Sequence, residues 1–226
     1  MSDAPARPNA HVDEVSAPFL ARGDFTGWFD ALYRTYDGDL GRIPWAGPAG
    51  HALYGDWLAQ TPGLAGRRTL VVGCGLGEEA EQAAAAGCQV TAFDVSPTAI
   101  AWARRRFPAT AVHYRVADLF DPPASFRASF ELVVEIYTVQ ALPLELRERA
   151  LDAVASFVAP GGTLFLLARG RDDDEPPGDV PWPLARAELA RLGTQGLVER
   201  DFVDHLDAER APPLRRFRAL YERPRG

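Results

Sequence analysis

TLVVGCGLGEEAEQAAAAGCQVTAFD, residues Thr69 to Asp94, reads as a strand, a glycine turn, a helix and a second strand with an acidic end. Leu70, Val71 and Val72 form a short apolar run suited to a strand buried on both faces. Gly73, Gly75 and Gly77 then remove side chains from the turn, where backbone can approach a ligand closely. A helix is predicted from about Glu78 to Ala86, with its free N–H groups facing the same turn and Gly87 placed to stop it. Gln89 to Phe93 gives the second strand, and Asp94 stands at its carboxyl end. That edge is where open parallel α/β sheets bind ligands. A carboxylate there can accept hydrogen bonds from both hydroxyls of a ribose, so the stretch implies a nucleoside-containing cofactor.

Beyond Asp94 the alternation of strands and helices continues. Ser96-Pro97 opens a helix running through Arg106, with Ser96 as N-cap and Pro97 in the first turn. Val112 to Val116, Phe130 to Ile136 and Thr163 to Ala168 are predicted strands, with a helix from about Pro143 to Val158 before the last. The segment RGRDDDEPPGDVPWP is expected to be a mobile loop, and Pro183 to Gly193 a helix. Two final strands, about Leu197 to His205 and Leu214 to Glu222, are joined by DAERAPP, short enough to imply an antiparallel pair. The pattern predicts an α/β fold: a single doubly wound, Rossmann-like sheet of seven strands, mainly parallel, with helices on both faces.

Before Thr69 the chain changes character. Residues 1–22 are rich in Pro and Ala and are expected to form a flexible tail, without the apolar core of a signal peptide. Residues 23–47 are dense in aromatics, with Phe25, Trp28, Phe29, Leu32 and Tyr33 at helical spacing. This segment either folds over the ligand edge as a lid or packs its aromatics on the sheet. Residues 48–226 would then form the cofactor-binding domain.

The 226 residues carry a formal net charge of −7, which argues against a general nucleic-acid binder. No Asp-Pro-Pro-Tyr or Asn-Pro-Pro-Tyr motif follows the fourth strand. No apolar run has the length of a membrane span. Cys74 and Cys88 have no metal-ligand spacing and form no cluster with the four histidines, so no metal is expected and a reducing, cytoplasmic setting is. Arg104 to Arg106 read as a solvated helix end, and Arg215, Arg216 and Arg218 as outward strand positions.

The turn itself narrows the cofactor. A dinucleotide fingerprint is G-x-G-x-x-G, whose third glycine would fall at Glu78. The pattern present is G-x-G-x-G, and a carboxylate at Glu78 would repel a pyrophosphate. Taken together with Asp94 and with Ala117-Asp118, this turn resembles that of the class I S-adenosylmethionine-dependent methyltransferases, over about residues 48–222. The resemblance implies a methyltransferase using S-adenosylmethionine on a small molecule. It implies that the backbone around Gly73, Cys74, Gly75 and Gly77 cradles the methionine and ribose portions. It also implies that Asp94 binds the ribose hydroxyls, Val95 and Leu119 flank the adenine, Asp118 accepts from the adenine amino group, and Glu135 faces the donor methyl. WFDALYRTYDGDLGRIPW is more loosely similar to the start of the thiol methyltransferases of the thiopurine and tellurite-resistance type.

Methyl transfer from a sulfonium rests on proximity and orientation, with a base required when the acceptor is a hydroxyl. Glu135 and Tyr137, in EIYTVQAL, are the catalytic candidates, although Glu135 can equally cap the turn after it and Tyr137 can be a packing aromatic. Trp28, Tyr33, Trp45, Gln140, Arg169 and Trp182 are the substrate candidates: aromatic walls, a polar amide and a cation for an anionic group. Arg169 and Arg171 can instead pair with the acidic run that follows. His51, His113 and His205 read as ordinary polar positions. A sensor of S-adenosylmethionine, or a nicotinamide-dependent oxidoreductase, is the alternative.

Overall fold

A computed structural model describes residues 10–47, 50–178, 181–208 and 213–226. Residues 1–9 of the expected tail, the boundary at 48 and most of the DAERAPP connection lie outside the described residues.

The centre is one sheet in the order β3-β2-β1-β4-β5-β8-β7. Strands β1 (Arg68–Val72), β2 (Gln89–Asp94), β3 (His113–Val116), β4 (Phe130–Ile136) and β5 (Val158–Arg171) run parallel. Strands β7 (Val198–Asp207) and β8 (Leu214–Glu222) form an antiparallel hairpin whose β8 also pairs antiparallel with β5. The inner strands are apolar on both sides and bury both: Leu70, Leu132, Val133, Val134, Leu164, Phe165 and Leu166 are all inaccessible. The order reverses between β1 and β4, so the loops leaving these strands diverge and open a crevice at the ligand edge.

Helix α3 (Ala52–Gln60) precedes β1, and α4 (Glu78–Ala85), α5 (Pro97–Arg106) and α6 (Leu144–Phe157) follow the predicted alternation. The Ser96 hydroxyl accepts from the Ala99 N–H at 2.9 Å, the N-cap expected of it. Among the described residues, no helix is long and apolar enough to cross a membrane.

Two expectations fail. Residues 10–20, expected as tail, form helix α1 (Ala10–Leu20), with Val12 buried and Val15, Phe19 and Leu20 packed beside it. Their helical spacing is legible despite the Pro and Ala around them. They pack with α2 (Gly27–Thr35) into a third apolar cluster, separate from the two that cover the sheet. The second failure is Pro183 to Gly193. It is an eighth, two-residue strand β6 (Leu184–Ala185) on the end of β5, a 3-10 turn Arg186–Leu189 and a short α7 (Ala190–Thr194). Glu188 explains this. Its carboxylate accepts from the Ala185 N–H at 2.7 Å and pairs with Arg147 and Arg171, drawing the segment onto the sheet while Leu184 and Leu189 become fully buried. The acidic loop before it is pinned as well: Arg171 donates to the carbonyls of Asp172 and Glu175, and Asp173 accepts from the Ala187 N–H.

Candidate active site

A cavity of about 600 Å³ occupies the crevice at the ligand edge. One half of its wall is the turn after β1. Gly73 and Gly77 have φ of +56° and +96°, and a Cβ would stand 2.3 Å from the Thr138 hydroxyl at the first and 2.3 Å from the Tyr114 hydroxyl at the second. Both positions therefore exclude side chains by conformation and by space. The Cys74 N–H donates to the Phe93 carbonyl at 2.9 Å, tying the turn to β2, and burial pushes its thiol pKa up. Asp94 is buried on this wall. Its Oδ2 accepts from the Gly75 N–H and its Oδ1 from the Ser96 N–H, each at 2.9 Å. Burial pushes its pKa up to about 6. Each oxygen keeps a further lone pair for a hydroxyl donor. Val95, Asp118, Leu119 and Phe120 continue the wall, with Asp118 Oδ1 accepting from the Phe120 N–H at 2.8 Å. Among the expected donor-site residues, only Gly77 and Glu135 are absent from the lining.

Glu78 departs from its expected part. Its carboxylate is buried and paired with Arg106 Nη1 at 2.5 Å, so its charge is neutralised in place. Exclusion of a pyrophosphate then rests on the glycine spacing alone. The arginine run is solvated at Arg104 and Arg105, as expected, while Arg106 turns inward. Arg104 donates to the Tyr114 carbonyl, Arg105 pairs with Asp37, and Arg106 reaches Leu76, Glu78 and Gly47.

The aromatic segment closes one end of the cavity and is firmly packed. Trp28 stacks on Phe29 at 3.9 Å between centroids, and Trp45 meets Trp28 and Tyr33 edge-on at 6.1 Å. Trp45 Nε1 donates to the Tyr33 hydroxyl at 2.7 Å. Asp30 Oδ1 accepts from the Ser96 hydroxyl at 2.7 Å and the Thr98 N–H at 3.1 Å, fastening α2 to the start of α5. Lid and packing element are thus the same piece of chain.

The other half of the wall lies beyond β4 and β5 and on the hairpin: Tyr137, Gln140, Arg169, Pro181, His205, Asp207, Leu214 and Arg216, with His51 from before α3. Tyr137 has a φ of +64°, rare for a bulky residue. Its hydroxyl is 2.9 Å from both Arg216 Nε and His51 Nε2. His51 Nδ1 accepts from the Leu53 N–H at 3.2 Å. Burial, with the Arg216 charge, holds the His51 pKa down at about 4. Arg216 is 8 % exposed and pairs with Asp207 at 3.3 Å. Gln140 Oε1 accepts from the Arg169 N–H at 2.6 Å, joining the exits of β4 and β5.

Two candidates stand elsewhere. Glu135 is fully buried and absent from the wall. Its Oε1 accepts from the N–H groups of Thr138 and Val139, at 2.7 and 2.9 Å, while Oε2 has no partner, and burial pushes its pKa up to about 7. It caps the turn that carries Gln140. Trp182 also misses the lining; its backbone joins Gln140 to Arg147, and Pro181 faces the cavity instead. Conversely, His51, His205 and Arg216, read as ordinary or outward positions, stand on the wall. The available signal was register: β8 pairs with β5 so that Arg216 lies opposite Arg169.

Residues 70–162 match the family described as a methyltransferase domain. The ubiquinone biosynthesis O-methyltransferase of Xanthomonas campestris pv. campestris (strain B100) is 37 % identical over 152 residues, 66 % of this chain and 61 % of that protein. The chain thus spans about three-fifths of that relative's length. In three dimensions the chain is similar to the N-methyltransferase NodS of Bradyrhizobium japonicum WM9, solved with S-adenosyl-L-homocysteine (TM-score 0.63, 20 % identity, 87 % of this chain and 98 % of that one). It is also similar to a chain solved in work on the conversion of a disulfide bond into a thioacetal group during echinomycin biosynthesis (TM-score 0.68, 23 % identity, 88 % and 93 %). His51, Arg169 and Arg216 all fall outside the matched domain segment.

Proposed function

We propose that the chain is a class I S-adenosylmethionine-dependent methyltransferase and that it transfers a methyl group to a hydroxyl of a small molecule. The observation that carries this reading is the continuity of the cavity. One space of about 600 Å³, within the size range of small-ligand sites, joins the Asp94 and Asp118 wall to the Tyr137 and Arg216 wall. A sensor needs only the first of these walls.

The donor residues fit the cofactor. The side-chain-free turn at Gly73 to Gly75 lets backbone approach the methionine and ribose portions. Asp94 is held by two backbone N–H groups and keeps lone pairs for the ribose hydroxyls. Val95 and Leu119, both on the cavity wall, would flank the adenine, with Asp118 at its amino edge. The cofactor supplies a methyl group already activated on a sulfonium. The chain's own task is to orient the acceptor in line with it and to exclude water. The Trp28, Tyr33 and Trp45 cluster supports the second role.

The choice of oxygen as acceptor rests on similarity to O-methyltransferases. The test is calorimetry with S-adenosylhomocysteine, then labelled-donor assays on panels of phenols, thiols and amines. Binding of S-adenosylhomocysteine and label transfer to a hydroxyl are expected. Binding of NAD in its place would sink the reading, and transfer confined to thiols or amines would refute the choice of oxygen.

A further inference from the structure

We infer that the acceptor is bound as an anion, its negatively charged oxygen received by the Tyr137 hydroxyl, which is itself held by the Arg216 guanidinium. The inference rests on the methyltransferase reading above and adds the charge state of the substrate to it.

The argument begins with proton counting at one oxygen. The Leu53 N–H donates to His51 Nδ1, so the neutral imidazole carries its proton on Nε2. That proton points at the Tyr137 oxygen 2.9 Å away. Arg216 Nε–H, always a donor, points at the same oxygen from 2.9 Å. Both lone pairs of the phenol oxygen are thereby used. Its own O–H must aim in a third direction, and Tyr137 stands on the cavity wall. A hydroxyl that accepts from a guanidinium is a strengthened donor.

The surrounding charges agree. Arg169 and Arg216 occupy directly opposite positions on antiparallel β5 and β8, and both line the cavity. Asp207 answers part of the Arg216 charge at 3.3 Å. Among the described residues, the other titratable groups facing this corner are His51, held neutral, and His205 and Glu79. The left-handed φ of Tyr137 places strain at this point, which persists only where its surroundings over-determine it.

An ionised phenol and a carboxylate both present such an oxygen, and three probes separate them: 3,4-dihydroxybenzoate carries a carboxylate, 4-nitrocatechol an ionised phenol without one, and methyl 3,4-dihydroxybenzoate neither at neutral pH. Binding of each is measured by calorimetry to the protein with and without S-adenosylhomocysteine, for wild type, Tyr137→Phe and Arg216→Gln. At least one anion is expected to bind about ten-fold or more tightly than the ester. Tyr137→Phe, which removes only the hydroxyl, should abolish most of that preference, and Arg216→Gln should do the same while affinity for S-adenosylhomocysteine holds. Equal binding of anions and ester, no binding of any anion, or a preference untouched in Tyr137→Phe each overturns the inference. If wild type fails to bind S-adenosylhomocysteine, the methyltransferase reading falls instead, and the donor-free titrations still decide on the anion site.

Discussion

Asp94 does two jobs with one carboxylate, and the two can be separated. It holds the Gly75 and Ser96 N–H groups, and it is the residue placed for the ribose. Asp94→Asn turns an NH₂ toward one of these backbone donors, so one bond is lost and a buried donor is stranded. A loss of about 1–3 kcal/mol in folding stability is expected, with affinity for S-adenosylhomocysteine falling about ten-fold or more. Denaturant unfolding and calorimetry read the two effects, and unchanged affinity would show that the ribose binds elsewhere. Glu135 offers a pH-dependent counterpart. Its carboxyl titrates at 4.5 ordinarily and at about 7 in the fold, because burial opposes its charge. The folded state therefore holds the proton longer than the unfolded one, and this residue's contribution to stability declines as pH rises from about 4.5 to about 7. Glu135→Gln keeps an oxygen for the Thr138 and Val139 N–H groups and removes the titration. It should be more stable than wild type at pH 8 by about 1–3 kcal/mol, with a flatter profile across that window. Identical pH slopes for the two proteins would refute this account.

At the scale of elements, the glycine turn and the docking of α2 are the testable joints. Gly77→Ala meets both a left-handed φ and the Tyr114 hydroxyl, and should cost about 1–3 kcal/mol. In a Tyr114→Phe background the oxygen is gone and the φ penalty stays, so the cost of the same change should shrink without vanishing; a double-mutant cycle in chemical denaturation measures the difference. Asp30→Ala removes the acceptor for Ser96 and Thr98, worth about 1 kcal/mol. Faster hydrogen exchange is expected across residues 27–47, with β1 and β4 unaffected. Uniform protection in both would mean that α2 is held by its apolar face alone. These joints also show what a sequence makes legible. The turn, α5 with its Ser96 cap, and the inner strands are written in local signals: apolar runs, glycines and a capping hydroxyl. Strand β6 is not, because Leu184 and Ala185 become a strand where Arg147, distant in the chain, holds Pro183 and the nearby Glu188.

For the molecule as a whole, the same division separates the two halves of the cavity. The residues expected on the donor side, the turn, Asp94 and Asp118, announce themselves at short range, and they share one cavity wall. The acceptor half was read unevenly. Tyr137, Gln140 and Arg169 followed from their places at strand ends, but His51 and Arg216 acquire meaning only where α3 and β8 meet Tyr137. Glu135 misled for a related reason: a carboxylate at the end of an apolar strand signals a special site, and here that site is an internal cap. Arg216, expected to point outward with its neighbours, turns toward the cavity because alternation along β8 puts it on the same face as Leu214, which also lines the wall.

That position of β8 has an engineering consequence. The hairpin contributes His205, Asp207, Leu214 and Arg216 to the cavity but no residue to the turn at Gly73 or to Asp94. On the proposed function, choice of acceptor can therefore be re-specified by randomising these four codons while the turn and Asp94 stay unchanged. A library confined to those four positions should yield variants with altered acceptor ranking and wild-type affinity for S-adenosylhomocysteine, a separation that a parallel titration and substrate screen can score directly.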